Sequence, residues 1–214
     1  MLAYPIRAAL ESGIFDEVMV STEDGEIAET AIKYGASVPF MRAREFADDF
    51  TPTDAVIMHV IEEYRKRGRN FDNICCIYPC SPMLTGEILK DAMKRFAESG
   101  ALALKPAIRF SQAVQRAMLA DENGFLTYRE PENFLKRSQD LEPVYYDPGM
   151  FYFVKNDEFL RRKSISGDRT VMFEIDEKMA QDIDNPSDWE MAEIKYRMLR
   201  QSLDKKNASA QKQA

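Results

Sequence analysis

Two short stretches of this chain hold residues of the right type and spacing for chemistry. In Gln181-Asp182-Ile183-Asp184 the carboxylates stand at alternate positions, and in extended backbone alternate side chains point to the same side. Paired carboxylate oxygens suit Mg²⁺, a hard ion that keeps waters and is shared with substrate phosphates. The same residues also read as the acidic entry to a helix, with Asp184 serving the macrodipole. Spacing alone leaves both readings open. The second stretch, Ile74-Cys75-Cys76-Ile77-Tyr78-Pro79-Cys80-Ser81-Pro82, begins as an unbroken apolar run too short for an ordinary helix. Such a run suits a strand buried on both faces, as in the middle of a largely parallel sheet. Prolines on either side of Cys80-Ser81 stop the strand and stiffen the turn. Thr85 then caps a helix whose apolar face is Ile88, Leu89, Ala92, Met93 and Phe96. A buried strand, a rigid polar turn and a helix N-terminus in succession make a ligand site, because open α/β sheets bind at the carboxyl ends of their strands. Ser81 is either a contact in that site or a residue that bonds only within its own turn.

Composition narrows the function classes. A chain of 214 residues can form one α/β domain with a sizeable core. A net charge of −7 and a pI of about 5.0 speak against a nucleic-acid partner. No apolar run approaches a membrane span, and no charged-then-apolar leader opens the chain, so the expected location is the cytoplasm. The cysteines are odd in number, and Cys75 and Cys76 sit side by side. Adjacent strand residues face opposite ways, which places these two poorly for pairing or shared chelation. They read as small core residues of a reduced protein. His59 is the only histidine. It reads as an ordinary helix residue, and Ser-His-Asp catalysis or a histidine-rich metal site lacks partners here.

The elements that must position these stretches follow in order. Leu2, Ile6, Ala9 and Leu10 share a helical face that Gly13 ends. Phe15 to Ser21 reads as a strand, and a short strand is expected through Val38 and Phe40. Between them, Ile27, Ala28, Ala31 and Ile32 form the stripe of a helix closed by Gly35. Thr51 or Thr53 caps the next helix, with Val56, Ile57, Val60, Ile61 and Tyr64 as its face. The positive run from Arg65 to Arg69 suits that helix's C-terminal end. Ala101 to Pro106 reads as a strand. Residues 107–146 then leave the sheet pattern, with Arg109, Gln115, Arg116, Arg129, Lys136 and Arg137 among aromatics and a hairpin turn at Asn123-Gly124. This is a lid or dimer arm. Strands are expected at Met150 to Val154 and Met172 to Ile175. A final helix starts at Pro186, capped by Asn185 or Asp184, and runs to about Leu203. The polar tail 205–214 is expected to be disordered. An α/β domain usually opens on a strand and its turn, whereas this chain starts inside its first helix.

Taken together, five landmarks stand in a familiar order. They are Phe15 to Thr22; Val38-Pro39-Phe40-Met41-Arg42 with Asp49 and Thr51; Tyr78 to Pro82 with Leu84-Thr85; Arg137 to Leu141; and Gln181 to Asp184 with Pro186 and Asp188-Trp189. From Met1 to about Arg200 the chain resembles the acylneuraminate cytidylyltransferases, and most of all the branch that activates pseudaminic acid. The resemblance implies a three-layer α/β/α, Rossmann-like fold of the nucleotide-diphospho-sugar transferase type. It would be one domain over residues 1–204, its mostly parallel sheet lacking the first strand.

The resemblance also implies roles. Arg42, Thr53 and Ser81 match positions that contact the cytosine nucleotide, with Cys80 in place of the family's usual threonine. Asp182 and Asp184 match the Mg²⁺-binding, catalytic pair. Tyr78, Gln115, Gln139 and Asp147 fall near sugar-facing positions. Tyr146-Asp147-Pro148-Gly149 departs from the His-Asp-Ala-Gly form associated with the pseudaminate branch, which leaves the sugar open. The implied reaction joins CMP from CTP to a nonulosonic acid and releases pyrophosphate, in a homodimer built through residues 107–146. Family members carry an Arg- and Lys-bearing triphosphate loop ahead of the first helix, so impaired turnover is expected of the 214-residue chain. Two alternatives stand beside this reading: an inactive remnant that binds nucleotide or a partner subunit, and a synthetase for another sugar acid such as N-acetylneuraminic acid.

Overall fold

Capping and apolar spacing act locally, and they place the helices close to their expected positions, except that the short helix Asn156–Arg162 was not expected. The computed structural model describes residues 1–211, with side chains through residue 204. In chain order the elements are α1 (Ala3–Ser12), α2 (Gly25–Lys33), α3 (Thr53–Lys66), β1 (Asn73–Ile77), α4 (Gly86–Ser99), β2 (Ala103–Arg109), β3 (Met118–Ala120), β4 (Leu126–Tyr128), β5 (Tyr145–Tyr146), β6 (Phe151–Lys155), α5 (Asn156–Arg162), β7 (Thr170–Glu174) and α6 (Pro186–Gln211). Gly13 closes α1 in the left-handed region at φ 62°, donating its N–H to the Leu10 carbonyl. Asp24 caps α2, and Thr85 caps α4 by accepting from the Ile88 N–H. At α3 neither threonine is the cap. Pro52 occupies that position without a side-chain bond, and Thr53 is the first helical residue.

The sheet departs from the expected pattern. β1 pairs antiparallel with β6, β6 antiparallel with β2, and β2 parallel with β7. The strand order is therefore β1-β6-β2-β7, with β5 on the far end of β2. β1, β2 and β7 share one direction, but β6 runs against them, so the ladders are mostly antiparallel. The cause lies in the connection. After β2 the chain makes its excursion and returns at the same end of the sheet, so β6 can enter only in the opposite sense. A fully apolar run reads alike in either direction when both faces are covered.

Helices cover both faces. One holds Cys75, Ile77, Leu104, Phe151 and Phe153 beneath Leu89, Ala92 and Phe96 of α4, with Ala8 and Ala9 of α1 alongside. The other holds Ile74, Cys76, Ala103, Tyr152 and Val154 against Ile57 and Ile61 of α3 and Phe159 of α5. Cys75 and Cys76 thus face opposite sides, and burial raises both thiols, Cys76 to about 12.

The expected strands at 15–21 and 38–40 reduce to a single parallel bridge between Met19 and Ser37. Bonds from Ser37 N to Val18 O (2.8 Å) and Val20 N to Ser37 O (2.9 Å) hold it. Val18, Val20 and Val38 pack there with Ile6, Ala31 and Ala36 between α1 and α2. The excursion begins after Arg109 and contains the β3–β4 hairpin, with Gly124 at φ 85° in its turn. α6 continues past Leu203 to Gln211, where a disordered tail was expected from residue 205; residues 212–214 lie outside the described residues. No helix among the described residues is long and apolar enough to cross a membrane.

Candidate functional site

Because β1, β2 and β7 run the same way, the segments that follow them emerge at one end of the sheet. The Tyr78–Ser81 turn follows β1, the excursion follows β2, and the Asp182–Asp184 segment follows β7. Asp147 to Met150 enters β6 from that same end, since β6 is antiparallel.

A polar chain crosses this end. The Thr53 hydroxyl lies 3.0 Å from the Tyr78 hydroxyl. The Tyr78 ring meets Tyr152 edge-on at 5.5 Å. The Tyr152 hydroxyl donates to Asp147 Oδ1 (2.9 Å), which also accepts from the Gly149 N–H (3.0 Å). Lys105 Nζ reaches Asp147 Oδ2 at 3.4 Å and lies 5.2 Å from the centre of the Tyr152 ring. Burial, then the neighbouring Asp147 carboxylate, pushes the Tyr152 phenol well above its usual range, so it stays a donor. Two of the expected sugar-facing residues, Tyr78 and Asp147, are thereby joined to the nucleotide candidate Thr53.

Ser81 is 2 % exposed. Its backbone carbonyl accepts from Leu84 N in a tight turn (3.2 Å), but its hydroxyl has no hydrogen-bond partner among the described residues. A buried hydroxyl without a partner costs free energy, which a ligand or an ordered water can recover by completing its bonding. The reading in which Ser81 merely bonds within its turn fails for its side chain.

Asp182 and Asp184 are both exposed, and neither carboxylate takes part in a hydrogen bond or ion pair among the described residues. The helix entry is served by others. Asn185 Oδ1 accepts from the N–H of Ser187 (3.0 Å) and Asp188 (3.2 Å), while Asp188 Oδ2 accepts from the N–H of Asp184 (3.0 Å) and Asn185 (3.1 Å). Asp184 is therefore not the cap. Gly149, in the left-handed region at φ 64°, lies against Asp182: a Cβ built there would stand 3.8 Å from Oδ1. This brings Asp182 beside the Asp147 turn. Lys195 of α6 donates to the carbonyls of Glu177 (2.9 Å) and Ala180 (2.7 Å), tying the approach to Asp182 onto that helix. The described residues contain no cluster of three or more side chains suited to a metal. An exposed carboxylate pair with unused oxygens is still the donor set that Mg²⁺ takes when substrate phosphates and water complete its shell.

The remaining candidates sit further out. The Arg42 guanidinium donates from Nε to Ser21 Oγ (3.1 Å) and from Nη2 to the Ser21 carbonyl, with donors to spare. Gln115 lies in the excursion and spends its amide on the Glu142 carbonyl (2.7 Å). Gln139 is exposed in a short turn, Ser138–Asp140, tethered where Arg116 meets the Ser138 hydroxyl at 2.8 Å. Neither glutamine touches the Tyr78–Asp147 chain.

A profile described as cytidylyltransferase matches residues 1–211. This chain belongs to the cytidylyltransferase family. It is 36 % identical to the pseudaminic acid cytidylyltransferase of Campylobacter jejuni over 202 residues, covering 94 % of this chain and 87 % of that protein. It is 29 % identical to the CMP-N,N'-diacetyllegionaminic acid synthase of Legionella pneumophila, over 90 % of this chain and 83 % of that one. The fold is similar to that of a CMP:2-keto-3-deoxy-manno-octonic acid synthetase solved with CTP, at TM-score 0.63 and 13 % identity, with 94 % and 88 % of the two chains covered. The chain is accordingly a nucleotidyltransferase.

In this cytidylyltransferase two residues that contact the candidate site escape a reading of the sequence. Lys105 sits inside the apolar strand β2 and Tyr152 inside β6, where each looks like filler. An interrupting cation in a buried strand is the one local signal, since a lysine rarely enters a sheet core unpaired. A groove of about 570 Å³ lies at the opposite end of the sheet among Arg65, Asn70, Asn73 and Lys155, and none of the candidate side chains lines it.

Proposed function

We propose that this cytidylyltransferase transfers CMP from CTP to a nonulosonic acid, with pseudaminic acid the favoured sugar. The observation that carries the reading is the 36 % identity to a pseudaminic acid cytidylyltransferase along 94 % of the chain, which takes in every site segment. In the reaction the anomeric hydroxyl oxygen bonds to the α-phosphorus, the bond to the β-phosphate oxygen breaks, and pyrophosphate leaves. The hydroxyl proton passes to solvent or a carboxylate.

The chain's own residues divide the work. Ser81 offers its unpartnered hydroxyl to the nucleotide, and Arg42 and Thr53 flank it. Tyr78 and Asp147, braced by Tyr152 and Lys105, present hydroxyl and carboxylate to the sugar, while the Lys105 ammonium attracts its carboxylate. Gln115 and Gln139 would have to give up present positions to reach the same sugar. Asp182 and Asp184 would hold Mg²⁺, whose chemistry when bound is to stabilise negative charge on phosphate oxygens.

The arm supports a homodimer. Leu135 is 88 % and Phe125 73 % exposed, with Met118, Leu119, Leu126 and Phe134 exposed beside them. Exposed apolar side chains gathered on one segment are what an interaction site offers, and a second copy presents the same segment in return. The free cysteines are in keeping with a cytoplasmic location.

The test is pyrophosphate release from CTP and Mg²⁺ with pseudaminic acid and with N-acetylneuraminic acid. It is run on the 214-residue chain. Turnover with pseudaminic acid in preference is expected. Preference for the other acid would reassign the sugar, and no turnover with either acid would leave nucleotide binding as the surviving alternative.

A further inference from the structure

α6 carries two apolar stripes where a surface helix needs one. The inner stripe is spent on the chain's own body. Ala192 is buried, the Tyr196 ring meets Tyr4 of α1 edge-on at 5.0 Å, and Lys195 beside them is tied to the Glu177 and Ala180 carbonyls. The outer stripe is Met191, Ile194 and Met198, exposed by 45 %, 48 % and 49 %. At about 100° per residue these three fall within about 60° of one another, roughly opposite Ala192 and Tyr196. Their spacing, three residues and then four, is that of a two-helix seam.

The charges beside the stripe say what covers it. Glu190 and Arg197 stand one heptad apart on a single flank, with Glu193 and Arg200 one heptad apart further round. That flank is acidic towards the start of α6 and basic towards its end, and all four side chains are exposed. Arg197 donates from Nη2 to Glu193 Oε2 (2.9 Å) and keeps its other guanidinium donors free. In two antiparallel helices a flank faces the same flank of its partner. A second copy turned end for end therefore sets Arg197 against Glu190 twice over. A parallel pair would set this flank against the opposite one, whose Lys195 is already bonded to the body.

We propose that the outer face of α6 is a self-association surface, on which α6 of a second copy lies antiparallel. The contact is separate from the arm. Three apolar residues a side bury much less than the roughly 800 Å² per partner of a stable interface, so the pairing shows only well above micromolar concentration.

The experiment is sedimentation of the 214-residue chain at micromolar and at about a hundredfold higher concentration. The mass at the lower concentration reports the arm, and growth to at least twice that mass at the higher one reports α6. Growth is expected of the parent and should be lost in Ile194→Asp. Glu190→Arg and Arg197→Glu, each alone, should also fail to grow, because like charges then meet across the seam. An equal mixture of those two variants should grow again. Melting temperatures should stay near the parent's, since the three side chains are exposed. A parent that keeps its micromolar mass removes the proposal, whatever that mass says of the arm. Growth of Ile194→Asp would put the contact elsewhere. Growth of either charge variant alone, or none in their mixture, would overturn the antiparallel pair.

Discussion

At the scale of single residues, Asp184 and Asp188 show how one sequence motif divides its labour. Both are acidic and both lie at the entry of α6, yet Asp188 accepts two backbone N–H groups while the Asp184 carboxylate accepts none among the described residues. A carboxylate that is exposed and unused by the fold can be exchanged at little structural expense. Asp182→Asn and Asp184→Asn are therefore expected to melt like the parent, while each weakens Mg²⁺-dependent CTP binding and lowers turnover about a hundredfold. Calorimetric titration of CTP with and without Mg²⁺ checks this, and parental titration curves from both variants would end the metal assignment. Ser81 is the counterpart: a hydroxyl buried at 2 % exposure with nothing to bond, which only a ligand or an ordered water can satisfy.

At the scale of elements, α4 packs closely against α1 where it begins, just after the Ser81 turn. Gly86 opens α4 directly behind that turn, and a Cβ there would stand 2.8 Å from Ser12 N and 3.1 Å from the Glu11 carbonyl carbon. Those are backbone atoms at the end of α1 and cannot swing aside. Gly86→Ala should lower stability by about 1–3 kcal/mol, as overpacking does. Gly25, which opens α2 with no atom within 4 Å of such a Cβ, supplies the control. Gly25→Ala should be neutral or stabilising by about 0.4–1 kcal/mol. Urea unfolding midpoints of the two variants compare them, and equal midpoints would show that α1 can retreat from α4.

At the scale of the whole molecule, Glu17 is the tie between the Met19–Ser37 bridge and the far end of α3. Its carboxylate accepts from the hydroxyls of Ser37 (2.6 Å) and Tyr64 (2.9 Å) and pairs with Arg69. Burial alone would raise its pKa, but those bonds outweigh it and hold the group below its ordinary 4.5. A carboxyl depressed in the folded state stabilises the fold above 4.5, and that contribution disappears as the pH falls through the folded value. Glu17→Gln should cost about 1–2 kcal/mol near neutrality and should flatten the acid limb of stability, read as urea midpoints from about pH 7 to about pH 3. Parallel curves for variant and parent would deny Glu17 this role. The arm makes the other prediction at this scale. The protein should sediment as a dimer at micromolar concentration, and Leu135→Asp should shift it to monomer, since that side chain is 88 % exposed and belongs to no core of its own chain. Monomer alone in the parent would remove the dimer.

What the sequence determined by itself is everything governed by near neighbours. Thr85 and Gly13 mark helix ends because capping and left-handed backbone are local, and the apolar run at Ile74 to Ile77 marks a strand, although it stands half-buried at the edge of the sheet, paired with β6 alone, and not buried in its middle as expected. The Asp182–Asp184 pair and the Ser81 turn stood out as candidates for the same reason, although spacing alone left open what each does. The direction of β6 was not legible, because an apolar strand carries no mark of the sense in which it enters a sheet; the return path from the arm decides it. Nor could spacing reveal that Lys105 would reach Asp147, 42 residues further on. Both outcomes depend on contacts between residues remote in the chain, whose entropic cost is repaid only once the sheet has closed, and they exist only in the tertiary structure.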